Sequence, residues 1–307
     1  MRLFFMIALF AENLAGGKIA FEGEVFSKIL NTNRTIRIYL PPSYDAAKRK
    51  RYPVLYLHDG QNVFSTAGDH AAFGWGSWQI DWTVDRLVSE GRMREIIMVA
   101  VDNTRERYSE YRGPSRQPER KNRRQRQDDP TRFELYAAFL IEELKPRIDR
   151  EYRTLKGAAN TAVMGSSLGG ICSLALAWEH PKVFGGAASL SGSFQIDKRY
   201  FLTEVLQAAK RRSKPFKVYL DSGTIDYTGD DDGRKNTAEV AAELKRIGWK
   251  EGKNLIHFVD ETPLKEPELA EIGLRRDKWK EAQKSQHNEF YWRLRAWRPL
   301  VFLFPPQ

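Results

Sequence analysis

The chain has 307 residues, 41% of them hydrophobic and 29% charged, with a formal net charge of +10. That length and apolar content fill one large core, which excludes a disordered tract or a small disulfide-stapled scaffold. The one cysteine, Cys172, excludes an internal disulfide and a cysteine-built metal centre.

Residues 1–17 open with Met1-Arg2 and an apolar run from Leu3 to Ala11, followed by small residues at Ala15-Gly16-Gly17. This has the look of a short secretory leader, or of a buried N-terminal strand. It is too short to span a bilayer, and it leaves a secreted, periplasmic or cytoplasmic location equally open. Residues 18–307 read as a single domain. Strands are expected at Thr35 to Leu40, Val54 to Leu57, Ile96 to Val101, Thr161 to Met164, Ala187 to Leu190, Phe216 to Leu220 and Asn254 to Phe258. Helices are expected at Trp78 to Glu90, Arg132 to Arg150, Tyr200 to Arg211 and Thr237 to Ile247. This alternation predicts an α/β fold with a mostly parallel central sheet flanked by helices.

Two stretches look like additions to that core. From Arg116 to Gln127 the chain is polar and strongly basic, bordered by Gly113-Pro114 and Asp129-Pro130. It has no interleaved aromatic residues to stack bases, so nucleic acid is not an expected partner; attraction of anionic substrates is the remaining electrostatic role. The second stretch, Glu261 to Lys284, is broken into short pieces by Pro263, Pro267 and Gly273.

The most informative run is Thr161-Ala162-Val163-Met164-Gly165-Ser166-Ser167-Leu168-Gly169-Gly170. A strand enters a tight turn with Ser167 at the centre of Gly-x-Ser-x-Gly, and an apolar helix from Ile171 to Trp178 follows, ended by His180-Pro181. Glycine at 165 and 169 leaves room for a strained backbone that exposes the serine hydroxyl. A serine hydroxyl needs an imidazole to take its proton and a carboxylate to orient that imidazole. His287, in a loop just before a helix, fits this need better than His257, which lies inside an expected strand as a half-buried structural residue. Spacing alone leaves two acids open after the strand Phe216 to Leu220, namely Asp221 and Asp226. The run Asp230-Asp231-Asp232-Gly233 lacks the spaced ligands of a calcium loop and reads as an exposed polar turn.

These pieces, with Tyr39-Leu40-Pro41-Pro42-Ser43-Tyr44, Tyr52 to Phe64, Ser222-Gly223-Thr224-Ile225-Asp226 and His287 to Trp292, resemble the putative-esterase family of α/β-hydrolases. That family embraces feruloyl and acetyl xylan esterases, enterochelin-type esterases, S-formylglutathione hydrolases and mycolyltransferases. The resemblance implies Asp226 as the acid, hence the set Ser167, Asp226, His287. It further implies an oxyanion hole from the backbone N–H groups of Leu168 and Gln61. Phe64, Trp75 and Trp78 become candidates to line an acyl pocket or a sugar platform, while Trp82 is expected to pack between helix and sheet. The implied activity is metal-independent and cofactor-free hydrolysis of small-molecule or carbohydrate esters. Acyl transfer to a sugar or alcohol, and a non-catalytic carbohydrate-binding protein on the same scaffold, are the alternatives. Nothing in the sequence speaks to oligomeric state.

Overall fold

The structure is a computed structural model that describes residues 16–114, 132–210 and 216–306. The leader-like segment up to residue 15 and the basic loop at 116–127 therefore lie outside the described residues. The strands are β1 (Lys18–Ser27), β2 (Thr32–Leu40), β3 (Val54–His58), β4 (Ile97–Val101), β5 (Thr161–Ser166), β6 (Gly186–Leu190), β7 (Lys217–Ser222) and β8 (Leu255–Val259). They form one sheet in the order β1-β2-β4-β3-β5-β6-β7-β8. β2 runs antiparallel to both β1 and β4, and every other pairing is parallel.

The central strands read as unbroken apolar runs because both faces of the sheet are covered. Alternation of side chains sends Val54 and Tyr56 of β3 to one face and Leu55 and Leu57 to the other. On the first face lie α3 and α4. α3 runs through Arg132–Ala138, a π-helical Phe139–Leu144 and Lys145–Glu151, and α4 is Leu168–Glu179. Phe133, Tyr136, Leu140, Leu144 and Ile148 point into that core at the spacing the sequence predicts. On the second face α1 (Ile80–Ser89) buries Ile80, Val84 and Leu87 beside Leu300 and Leu303 from the C-terminal region.

The strand β1 has no counterpart among the expected elements. Its residues alternate between exposed positions and half-buried or buried ones, and Lys18, Glu22 and Glu24 dilute its apolar pattern. It pairs on one side alone, with β2, which is the place where a strand so polar can survive.

The stretch Glu261 to Lys284 makes a small core of its own. Leu264, Leu269, Leu274 and Ala282 pack with Phe290 and Tyr291, and Trp75 and Trp279 close over them. Tyr291 fastens it: its hydroxyl donates to the Ala282 carbonyl (2.8 Å) and accepts from Leu264 N–H (2.9 Å). Cys172 is buried in α4 as a small apolar side chain, and His257 sits half-buried on β8, both as expected.

Candidate active site

The parallel strands β3, β5, β6 and β7 point their carboxyl ends to one edge, where open α/β sheets place their ligand-binding loops. At the end of β5 the chain turns through Ser167 with φ 54° and ψ −122°, then enters α4. That conformation is strained for a residue with a side chain, and the glycines around it explain why it persists. A Cβ on Gly165 would lie 2.7 Å from the Gly169 carbonyl, and one on Gly170 would lie 2.5 Å from Ser189 Oγ. The strand and helix meet too closely for side chains there.

His287 reaches this turn from the loop before α6 (Glu289–Arg295), a helix capped by Asn288, whose side chain accepts from Tyr291 N–H. The His287 Nε2 lies 3.0 Å from Ser167 Oγ, and Nδ1 lies 2.6 Å from Asp232 Oδ1. A carboxylate accepts, so Nδ1 carries the proton and Nε2 is left to accept from the serine hydroxyl.

The carboxylate on His287 is thus Asp232, and the expectation for Asp226 is corrected. Asp226 spends its Oδ1 on the local turn, accepting from Thr228 N–H (2.8 Å), Thr228 Oγ (2.6 Å) and Asp230 N–H (3.1 Å). Asp221 is fully buried and faces Arg295 instead, at 3.3 Å. Asp232 was read as part of an exposed turn, yet it is only 1% exposed. The cause is local: Asp232 (φ 53°) and Gly233 (φ 69°) are successive left-handed residues that fold the chain back before α5 (Arg234–Ile247). The signal available in the sequence was the glycine after the acid, marking a helix start three residues earlier than the periodicity suggested.

Behind Asp232 lies a polar cluster that fixes its orientation. Ser191 Oγ donates to Asp232 Oδ2 (2.7 Å) while accepting from Arg295 Nη2 (2.7 Å) and Trp292 Nε1 (3.0 Å). Gly223 N–H also donates to Oδ2. Burial by itself would raise the Asp232 pKa. The hydrogen bond and charge of His287, the Arg295 charge and the Ser191 hydroxyl outweigh it and hold the carboxyl below the usual range. Asp221 goes the other way, pushed by burial up to about 6 despite Arg295.

The opposite wall is the loop after β3. Asp59 adopts a left-handed φ of 56° and leads into a short turn, Gly60–Asn62, whose first backbone bond runs from Asn62 N–H to Asp59 O (2.9 Å). The Gln61 N–H lies outside the turn's own bonding, as the Leu168 N–H does at the start of α4. Arg107, on α2 (Arg107–Tyr111), grips both oxygens of Asp59 at 2.7 Å. Asn103 N–H donates to Gln61 Oε1 (3.2 Å), and Asn62 Nδ2 donates to Glu289 Oε1 (3.2 Å). Ser193 Oγ lies 3.1 Å from Ser167 Oγ, and the exposed Tyr227 ring sits 6.4 Å from the His287 ring.

The aromatic residues expected to line the site do not gather there. Phe64 (1% exposed) and Trp78 (2%) are core residues on the second face of the sheet. Trp75 packs on the insert, with Lys278 over its ring. Trp82, expected to pack inward, is 60% exposed, because it lies on the solvent side of α1 opposite the Ile80, Val84 and Leu87 face. Among the described residues no cluster of His, Cys, Asp and Glu could hold a metal ion, and no helix is long and apolar enough to cross a membrane.

The family model described as "Putative esterase" matches residues 27–261. The chain belongs to this family. It is an ester-hydrolysing enzyme with the α/β-hydrolase fold. A Bacillus subtilis protein, YjcH, described as uncharacterized, is 27% identical over 232 residues, covering 74% of this chain and 82% of its own length. Ferri-bacillibactin esterase BesA from the same organism is 25% identical over 225 residues, covering 70% and 74%. The endo-1,4-beta-xylanase/feruloyl esterase of Xylanibacter ruminicola is 28% identical over 170 residues, which are 52% of this chain but 19% of that protein. Among solved structures, a ferulic acid esterase superposes with a TM-score of 0.64 at 19% identity, covering 94% of this chain and 98% of its own. The enterobactin esterase FES of Shigella flexneri gives 0.64 at 17% identity, with 95% and 60% covered.

Proposed function

We propose that this esterase works through a serine nucleophile and an acyl-enzyme, with Ser167, His287 and Asp232 as the catalytic set. The observation that carries the reading is the unbroken hydrogen-bonded chain from Ser167 Oγ through both nitrogens of His287 to Asp232. In this reading Ser167 attacks the ester carbonyl as His287 Nε2 takes its proton. Asp232 stabilises the imidazolium, and the proton then passes to the departing alcohol oxygen. A water, deprotonated by the same nitrogen, attacks the acyl-enzyme and releases the acid. The N–H groups of Leu168 and Gln61 receive the negative charge on the carbonyl oxygen.

The substrate is, by the same proposal, an acyl or feruloyl ester of a carbohydrate or a similarly polar alcohol. Ser193 Oγ lies beside Ser167, and the loop after β3 with its neighbours carries the polar side chains of Asn62, Asn103, Arg107 and Glu289, whereas Phe64 and Trp78 are core. The relatives named as feruloyl esterase and ferri-bacillibactin esterase support an ester substrate of this kind.

A fluorophosphonate probe tests the nucleophile. It is expected to label the wild type and Ser166→Ala at Ser167 and to leave Ser167→Ala unlabelled. Ser167→Ala and His287→Ala should each lose roughly three or more orders of magnitude in kcat on the best ester of an acetyl-sugar, feruloyl, aryl and thioester panel. Labelling at another serine, or full turnover by folded Ser167→Ala, would overturn the assignment.

A further inference from the structure

Glu289 is the one side chain in the described hydrogen bonds that ties the element carrying His287 to the loop carrying Gln61. It is the first residue of α6, two positions after the histidine, and is half-buried. The loop it touches is also held from the side of β4, Asp59 by Arg107 and Asn103 and Gln61 by Asn103, and from the chain after it, where Trp78 N–H donates to the Asn62 carbonyl (2.9 Å). The bond from Asn62 Nδ2 to Glu289 Oε1 is the pin from across the cleft. It joins the segment that carries His287 to the loop that carries Gln61. Nothing in the proton relay or the Asp232 cluster uses Glu289.

Four groups face this carboxyl. Asn62 and Asp59 come from the loop after β3, Arg107 from α2 and His287 from its own segment. Burial is the largest influence on it and pushes its pKa up to about 7, with Asp59 adding to the rise and its own backbone N–H, His287 and Arg107 opposing it. Below that pH it is a neutral acid whose carbonyl oxygen accepts from Asn62, a role that glutamine reproduces in shape and charge.

We propose that Glu289 is a positioning residue for the oxyanion side of the site, holding the Gly60–Asn62 loop so that the Gln61 N–H meets the carbonyl oxygen as its charge develops. The proposal rests on the reading of Ser167 as nucleophile and Gln61 N–H as a charge-receiving donor.

The test compares Glu289→Ala, Glu289→Gln and Asn62→Ala near neutral pH, reading kcat, KM and the affinity of an arylboronic acid that forms a tetrahedral anion on an activated serine. Displacement of a catalytic group by about 1 Å costs roughly 100-fold in rate, so Glu289→Ala should lose about 10- to 100-fold in kcat with KM little changed. Boronate affinity should fall by a similar factor, because the boronate imitates the charged intermediate and the substrate does not. Glu289→Gln should restore both to within a few-fold. Glu289→Ala combined with Asn62→Ala should be no worse than the more damaged single variant, since both break the same contact. Wild-type kcat and boronate affinity in Glu289→Ala, or a loss that appears in KM alone, would overturn the proposal. If instead the wild type ignored the boronate and Ser167→Ala stayed active, the nucleophile reading would be what failed.

Discussion

Ser191 shows how much of this site is built to serve a single carboxylate. Its backbone takes a left-handed φ of 46°, and its hydroxyl is filled by one donated and two accepted hydrogen bonds. The donated bond ends on Asp232, so the three nearby acids are expected to respond differently to amidation. Asp232→Asn, which puts an amide where His287 needs an acceptor, should reduce kcat by up to about 10⁴-fold with the fold intact. Asp226→Asn should stay within a few-fold of wild type, since it alters only an exposed turn. Asp221→Asn leaves the buried Arg295 short of its counter-charge, so its main effect should be on stability, about 3 kcal/mol or more. Rates and urea midpoints on all three proteins separate the roles. Ser167 and His287 were legible because one sits in a motif with its own strand and helix and the other is the histidine placed before a helix. Asp232 was not: three aspartates in a row look solvated, and its setting depends on Gly223 at the end of β7 and on Ser191 and Arg295, which arrive from distant parts of the chain.

At the level of elements, periodicity located all seven strands from β2 to β8 to within a few residues, because buried strands announce themselves as short apolar runs. β1 escaped for the opposite reason, since it is itself the edge of the sheet and its polar residues interrupt any apolar run. The tryptophans misled because an aromatic near a catalytic loop has two uses, and only the three-dimensional course of residues 62–82 shows that Phe64 and Trp78 turn under the sheet. The elbow offers the sharpest element-scale prediction. In Gly165→Ala the new methyl would collide with the Gly169 carbonyl at 2.7 Å, forcing β5 and α4 apart. A shift of about 1 Å at Ser167 corresponds to roughly a 100-fold loss in kcat. Fluorophosphonate labelling rate and circular dichroism together check it, the first falling while helix content is retained.

For the molecule as a whole, the raised Glu289 pKa makes stability depend on pH in a predictable direction. Folded Glu289 holds its proton up to about pH 7, whereas the unfolded chain releases it near the ordinary glutamate value. Between those limits the folded state binds more protons, so this group's contribution to stability declines as pH rises and levels off above about pH 7. Glu289→Gln removes the effect. The variant should gain about 1–3 kcal/mol over wild type near pH 8 and much less near pH 5, the range reflecting partial exposure. Denaturant unfolding of both proteins at the two pH values checks it, and an unchanged difference would mean that the carboxyl ionises freely in the fold.

All eight strands are complete by Val259, yet the second face of the sheet is only partly covered at that point, by α1 with Phe64 and Trp78. Trp292, Leu300, Leu303 and Phe304, on α6 and on α7 (Trp297–Leu303) with the residue after it, close that face over Leu55, Met164 and Leu190. The same C-terminal segment carries His287. Under the proposed catalytic set, docking of the last helices and placement of His287 beside Ser167 are coupled: a chain with those helices undocked would expose a hydrophobic flank and leave Ser167 without its proposed general base.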